Sequence, residues 1–343
     1  MEHRFTRRKA LAALGGGVAG AIASPLVVRA APPTIRFSTG GGLGPNEIDT
    51  IFFTDFMKKN VMKRYGKDYL LDVVYTRGTP EAASLLAAGS VDIAAQSCAS
   101  FATAIAKNAI PGGAKAIADE HDARPGYSAH SFYVLDKSAI KTPADLKGKT
   151  IAINAFGAGP HLLLNVILKK QRIDPKRDVR IVEISFPAIG PALREGRIDC
   201  GVMPIPFGAT EEAKGSIREL FRGTDAFPAY SVIFQVATNE ILTKQPGVVK
   251  AWLADFVEGL HWLYDPANRK QAVAITAEVA KSPVEVVDSY FLTNRDYYRN
   301  LDACLAPDLL QIQADAMVDE GFLPTKIDIL KHLDTSYLPN PCR

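Results

Sequence analysis

The sequence predicts an α/β protein of two lobes, each a parallel-rich sheet flanked by helices, with two hinge strands between them. Three observations predict it: a helix–Gly–strand unit that occurs twice, short apolar runs bounded by Gly or Pro and separated by helical patterns, and a chain of 343 residues, long enough for two compact lobes.

The elements follow in chain order. Residues 1–30 read as an export signal rather than structure: Arg4, Arg7, Arg8 and Lys9 precede an apolar stretch, and Val28-Arg29-Ala30 supplies a cleavage site. The Arg7-Arg8 pair before a weakly hydrophobic segment gives it a twin-arginine character, with Ala10 standing where an aromatic residue is preferred. Gly15, Gly16, Gly17 and Gly20 interrupt the stretch and argue against a membrane span. The expected mature chain starts at Ala31 in the periplasm, and no Cys near that point suggests a lipid anchor.

In the first lobe, a strand at 34–38 leads through a Gly-rich loop to a helix, and a second strand covers 71–75. The run Leu85-Leu86-Ala87-Ala88-Gly89-Ser90-Val91-Asp92-Ile93-Ala94 then reads as helix, Gly stop and buried strand. The second lobe repeats the order, with strands at 150–154 and 180–184, a loop Phe156-Gly157-Ala158-Gly159 entering a helix near Pro160, and Ala192-Leu193-Arg194-Glu195-Gly196-Arg197-Ile198-Asp199-Cys200-Gly201 as the second helix–Gly–strand unit. Apolar runs of this kind indicate parallel sheets covered on both faces. Ser131–Leu135 and Ser231–Val236 are the expected connecting strands, which assigns 31–130 plus 236–343 to the first lobe and 131–235 to the second. Helices near 246–263, 268–279, 283–290 and 307–321 are expected to pack mainly on the first lobe.

Composition narrows the function classes. Forty Lys and Arg against 37 Asp and Glu, scattered along the chain, form no basic stripe, so a nucleic-acid partner is not expected. The four Cys make no CxxC or Cys/His metal pattern, and neither a metal nor another cofactor is expected. Cys304 and Cys342 could tie the tail to a C-terminal helix, whereas Cys98 and Cys200 read as buried small apolar residues.

The chain resembles the periplasmic binding proteins for taurine, alkanesulfonates and nitrate, with the thiamine-precursor binders as relatives. The resemblance spans most of the mature chain. It is carried by Gly89-Ser90-Val91-Asp92-Ile93-Ala94, by Thr142 to Ala152 with its Asp145-Leu146-Lys147-Gly148-Lys149 run, by Gly196-Arg197-Ile198-Asp199 and by the tail Gln313 to Pro324. It implies the type II binding-protein fold, a monomer, and a solute-binding component that delivers a small organic anion to an inner-membrane ABC permease. The Asp145–Lys149 run is shared with the receptors of tripartite sodium-driven (TRAP-type) transporters, and Ser38-Thr39-Gly40-Gly41-Gly42 is similar to their opening, so that reading stands as the alternative. Where family members often carry Gly-Ser or Gly-Thr at the start of the second-lobe helix, this chain has Phe156-Gly157-Ala158-Gly159-Pro160-His161 and lacks that hydroxyl.

Ligands of open parallel sheets bind beyond the carboxyl ends of the strands, where helix N-termini present free N–H groups suited to an anion. The expected contacts are Gly41, Gly42, Leu43 and Asn46 in the first loop, Arg77, Thr79 and Glu81 in the second, and Ser97, Cys98 and Ser100 in the third. The other lobe is expected to add Phe156, Gly157, Gly159 and His161, then Phe186 and Pro187, then Pro204, Pro206 and Phe207. Arg77 is the candidate fixed cation, His161 a neutral hydrogen-bonding imidazole in a first helical turn, and the three Phe are walls for an apolar ligand body. Each has a plainer reading as turn glycine, helix cap, solvated cation or lobe core. An exported hydrolase using Cys98 or Ser97 with His130 or His161 is the rival from another class, weakened by the lack of a Gly-x-Ser-x-Gly or His-Glu-x-x-His pattern. A sensor docking on a membrane kinase would share the same closure.

Overall fold

The structure is a computed structural model that describes residues 31–41 and 48–342. The expected export signal and the candidate contacts Gly42, Leu43 and Asn46 lie outside the described residues. The elements are β1 (Thr34–Ser38), α1 (Asp49–Phe52), α2 (Asp55–Asn60), β2 (Leu70–Val74), α3 (Thr79–Ala87), β3 (Ile93–Gln96), α4 (Cys98–Ala106), β4 (Ala114–Ala123), β5 (Ser131–Leu135), β6 (Thr150–Ile153), α5 (Gly159–Lys170), β7 (Arg180–Glu183), α6 (Phe186–Arg194), β8 (Cys200–Met203), α7 (Phe207–Lys214), β9 (Ile217–Arg222), β10 (Tyr230–Thr238), α8 (Asn239–Lys244), α9 (Pro246–Tyr264), α10 (Arg269–Ala280), α11 (Val284–Asp288) and α12 (Pro307–Asp319).

Two five-stranded sheets result, ordered β2-β1-β3-β10-β4 and β7-β6-β8-β5-β9. They share one plan. In each, three parallel strands are followed by a fourth that runs antiparallel, and that fourth strand arrives from the other sheet. The duplicated sequence unit has the same task in both. Gly89 and Gly196 close their helices at φ +66 and +69°, where a residue with a Cβ would be strained. Three residues on, Asp92 accepts the Arg36 backbone N–H at 2.9 Å, and Asp199 accepts that of Thr150 at 2.8 Å, which pins the first strand of each sheet to the third.

The connections differ from the sequence expectation. Tyr230–Thr238 pairs with β4 along its length and with β3 at Phe234–Ala237, so it lies in the first sheet. Ser131–Leu135 likewise lies inside the second sheet. The chain passes between sheets in the segments 124–130 and 223–229, which precede β5 and β10. β4 was not anticipated: its Asp119, Glu120, His121 and Asp122 are polar yet almost fully buried, the reverse of the usual signal for a strand.

The C-terminal helices pack on the first sheet. Trp252, Leu253 and Phe256 of α9 are fully buried beside Phe37 and Phe52, and the Trp252 indole donates to Gln235 Oε1 at 2.8 Å. Gly259 permits that approach, because a Cβ there would lie 2.1 Å from the Phe52 ring. Cys304 and Cys342 form a disulfide, while Cys98 and Cys200 are free and buried.

Candidate functional site: the cleft between the sheets

The topology decides which side chains meet. β10 and β5 run against their neighbours, so they begin where β3 and β8 end. The carboxyl ends of β1, β3, β4, β6 and β8 therefore share the cleft with the first residues of β10 and with His130, which precedes β5. α3, α4 and α5 also start there.

At the inner end lies a cavity of ≈ 20 Å³, room for about one water, lined from the first lobe by Gly40, Gly41, Thr79, Ser97, His121, Val232, Ile233 and Tyr297 and from the second by Asn154, Ala158, Gly159, Pro160, Phe186 and Pro204, with His130 at the crossing. Backbones approach closely here. A Cβ on Gly40 would lie 2.5 Å from the Ala95 carbonyl oxygen, and one on Gly159 would lie 3.4 Å from Ser97 Cβ across the lobes.

The polar groups of this end are uncharged. Thr79 Oγ1 and Ser97 Oγ share a hydrogen bond of 2.9 Å, and Ser97 caps α4 by accepting from Ser100 N. Ser100 Oγ donates to Gln96 Oε1 at 2.7 Å. His130 N–H donates to Tyr230 Oη at 3.0 Å and its ring Nδ1 lies 3.1 Å from the same oxygen, an arrangement satisfied when the phenol donates to Nδ1 and the ring proton sits on Nε2. Among the described residues, three buried atoms here have no hydrogen-bond partner: His121 Nδ1, Asn154 Oδ1 and Tyr297 Oη. Buried polar atoms are normally paired, so three orphans around one small space set it apart from the rest of the interior. Burial, with repulsion from Arg299 and His130, holds His121 well below the usual imidazole range, and burial lowers His130 to about 4. Both rings are neutral at neutral pH.

Phe186 also lines a larger outer cavity of ≈ 650 Å³ together with Phe53, Tyr75, Pro187, Pro206, Phe207, Thr210 and Lys214. Phe186 and Phe207 stack at 5.7 Å between centroids. At the rim, Thr210 Oγ1 meets Ser282 Oγ across the lobes at 3.2 Å.

Several expected contacts lie elsewhere. Arg77 lines neither cavity; its guanidinium is 80 % exposed and pairs with Glu81, whose carboxylate also accepts the Arg77 N–H at 2.9 Å, so the helix start consumes both. Cys98 points away from the cleft, its Sγ 3.4 Å from the Leu310 carbonyl under α12, and burial raises its thiol far above the range in which a thiolate forms. His161 is neutral, lowered to about 4 by burial, but its Nδ1 accepts the Gly157 N–H at 3.0 Å and its ring packs on Phe322 and Phe156. Phe156 is 48 % exposed and lines, with Gly157, a separate groove of ≈ 320 Å³ against α3 and α4. Thr79, Ser97, Gly41 and Gly159 meet at the inner cavity, and Pro206 and Phe207 at the outer one, with Phe186 lining both. Asn154, His121 and Tyr297 were missed. Asn154 is the last residue of an anticipated strand, one past the observed β6, where a polar side chain among apolar neighbours is a usable signal, whereas His121 and Tyr297 depend on the unanticipated β4 and its neighbour.

Two sheets of this topology closing on a cleft at their strand ends define the periplasmic binding protein fold. The chain belongs to the family described as NMT1/THI5 like, whose model matches residues 62–268. It is 26 % identical over 211 residues to the "Putative aliphatic sulfonates-binding protein" of Escherichia coli (strain K12), a match covering 61 % of this chain and 64 % of that protein, just under two thirds of its length. The alkanesulfonate-binding protein SsuA from Xanthomonas axonopodis pv. citri bound to MOPS superposes with a TM-score of 0.71 at 20 % identity, over 89 % of this chain and 99 % of that one. The periplasmic nitrate-binding protein NrtA from Synechocystis PCC 6803 does so with 0.71 at 13 % identity, over 90 % and 88 %.

Proposed function

We propose that this protein is the periplasmic solute-binding component of an ABC importer and that it binds a small organic anion, a sulfonate or carboxylate with an aromatic or branched body, in the cleft. The observation that carries this reading is the meeting of the α3, α4 and α5 N-termini from both lobes around three unpartnered polar atoms, with Phe186 joining that end to an aromatic-walled cavity. Helix N-termini favour an anionic head, and the larger cavity suits an apolar body. The names of the sulfonate- and nitrate-binding relatives support the same class. The crossings 124–130 and 223–229 are the hinges, the ligand stabilises the closed form by touching both lobes, and a membrane permease recognises that form. The protein acts as an exported monomer and breaks no bond.

A thermal-shift screen of the purified chain tests this. Arenesulfonates or branched carboxylates at a hundredfold excess over Kd are expected to stabilise the fold by about 2.7 kcal/mol, raising Tm by about 5 °C. A response to nitrate or bicarbonate alone, or to no anion, would overturn the organic-anion reading.

A further inference from the structure

Among the described residues, the inner end of the cleft carries no fixed cation for an anion to meet. Its described lining consists of glycines, hydroxyls, an amide, apolar side chains and two imidazoles. The stretch 42–47 of the first loop contains no Lys, Arg or His in its sequence. Arg299, the buried cation that acts on His121, is held by Asp296 at 2.8 Å. Three helix N-termini supply partial charges of about half a unit each, which favour an anion but put no ionised side chain in contact with it. An anion admitted here, which takes more room than the one water the cavity holds and so needs the lobes to part, is costly unless it is paired.

Two groups at the site can become that partner. His121 and His130 both line the cavity, His121 Nδ1 has no hydrogen-bond partner, and the Tyr297 ring lies 4.6 Å from one imidazole and 6.2 Å from the other. We propose that the ligand's anionic head is bound together with one proton, taken up by the His121–His130 pair, so that solute capture is proton-coupled. The inference rests on the organic-anion reading above.

Without an anion both rings stay neutral, for the reasons given. The groups facing them come from four elements. Asp119 and Asp122 share β4 with His121, Asp296, Tyr297 and Arg299 lie on the segment after α11, Tyr230 opens β10, and His130 ends the first crossing. Asp119 and Asp122 are both pushed up by burial and do not line the cavity, so the proton is assigned to the imidazoles. An entering anion reverses the repulsion on whichever imidazole it meets and raises that ring's affinity for a proton.

Isothermal titration of the purified chain with benzenesulfonate, which does not itself titrate near neutral pH, tests the coupling in buffers of different ionisation enthalpy. Uptake of about one proton per chain is expected near pH 6, with Kd weakening by up to about tenfold per pH unit as pH rises. His121→Gln together with His130→Gln is expected to abolish the uptake, and Asp119→Asn to retain it. Binding of benzenesulfonate without uptake would overturn the proton coupling and leave the organic-anion reading intact. Uptake with benzoate but not with benzenesulfonate would place the proton on the ligand carboxyl and overturn the imidazole assignment, as would loss of uptake in Asp119→Asn alone. If neither compound nor any other organic anion binds, both readings fall together. The wild-type buffer series decides the coupling even if the double variant fails to fold.

Discussion

At the scale of single residues, the cleft combines positions where nothing larger than hydrogen fits with side chains whose titration burial shifts. Gly40 is the clearest of the first kind. A methyl group 2.5 Å from the Ala95 carbonyl oxygen forces a backbone shift, and Gly40→Ala is expected to lower stability by about 1–3 kcal/mol, read as a lower denaturant midpoint. His130 is of the second kind. Its folded value of about 4 lies below the usual imidazole value, so between roughly pH 6.5 and pH 4 the unfolded chain binds a proton that the folded one refuses. Its contribution to stability is complete above that window and falls by about 1.4 kcal/mol per pH unit on acidification within it. Asp119, raised by burial, works in the opposite sense, because the folded state holds its proton to higher pH. The test is therefore differential: His130→Gln should give a shallower loss of Tm than wild type between pH 6.5 and pH 4.

At the scale of elements, the repeated helix–Gly–strand unit shows how much a short local signal can carry. Gly89 and Gly196 had to be left-handed, since each ends an apolar helical run and precedes a strand. The Asp three residues on was visible too, although its partner was not. Asp199→Ala leaves the Thr150 N–H without its 2.8 Å acceptor at the start of β6, and a loss of about 1–2 kcal/mol is expected from chemical unfolding, with the slope unchanged. β4 marks where local reading ends. A run of Asp, Glu, His and Asp reads as solvated loop, yet it is buried because β10 covers one edge and the backbone of Tyr298 and Ala303 bonds the other. Arg124 pairs with the Asp122 carboxylate at 2.6 Å, so the charge is met by a residue beyond the strand. The pairing of the strand's edges with β10 and with the backbone of Tyr298 and Ala303 is long-range and leaves no periodic trace.

At the scale of the whole molecule, the two lobes touch at more places than the cleft floor. Besides the Thr210–Ser282 bond, Lys169 of α5 pairs with Glu320 at 3.2 Å, and the His161 ring packs on Phe322 at 4.8 Å, so the end of α12 leans on the second lobe. The tail is fastened separately. The Cys304–Cys342 bond closes a loop with a sequence separation of 38, and Cys304→Ser with Cys342→Ser is expected to cost about 2–4 kcal/mol, seen as a Tm decrease equal to that produced by reductant in the wild type.

The sequence by itself determined the two-lobed α/β plan, the duplicated unit, the helical C-terminal third and the hydroxyls and glycines that open α3, α4 and α5. These are local properties: periodicity, caps and the conformational demands of Gly are written within a few residues of where they act. Only the tertiary structure decided which side chains share the cleft. An antiparallel fourth strand brought His130 and Tyr230 to the ends of the parallel strands, and an unanticipated β4 brought His121. Packing of α12 covered Cys98. Such choices depend on strand order and register between distant segments, and no spacing along one chain encodes which partner a strand will find.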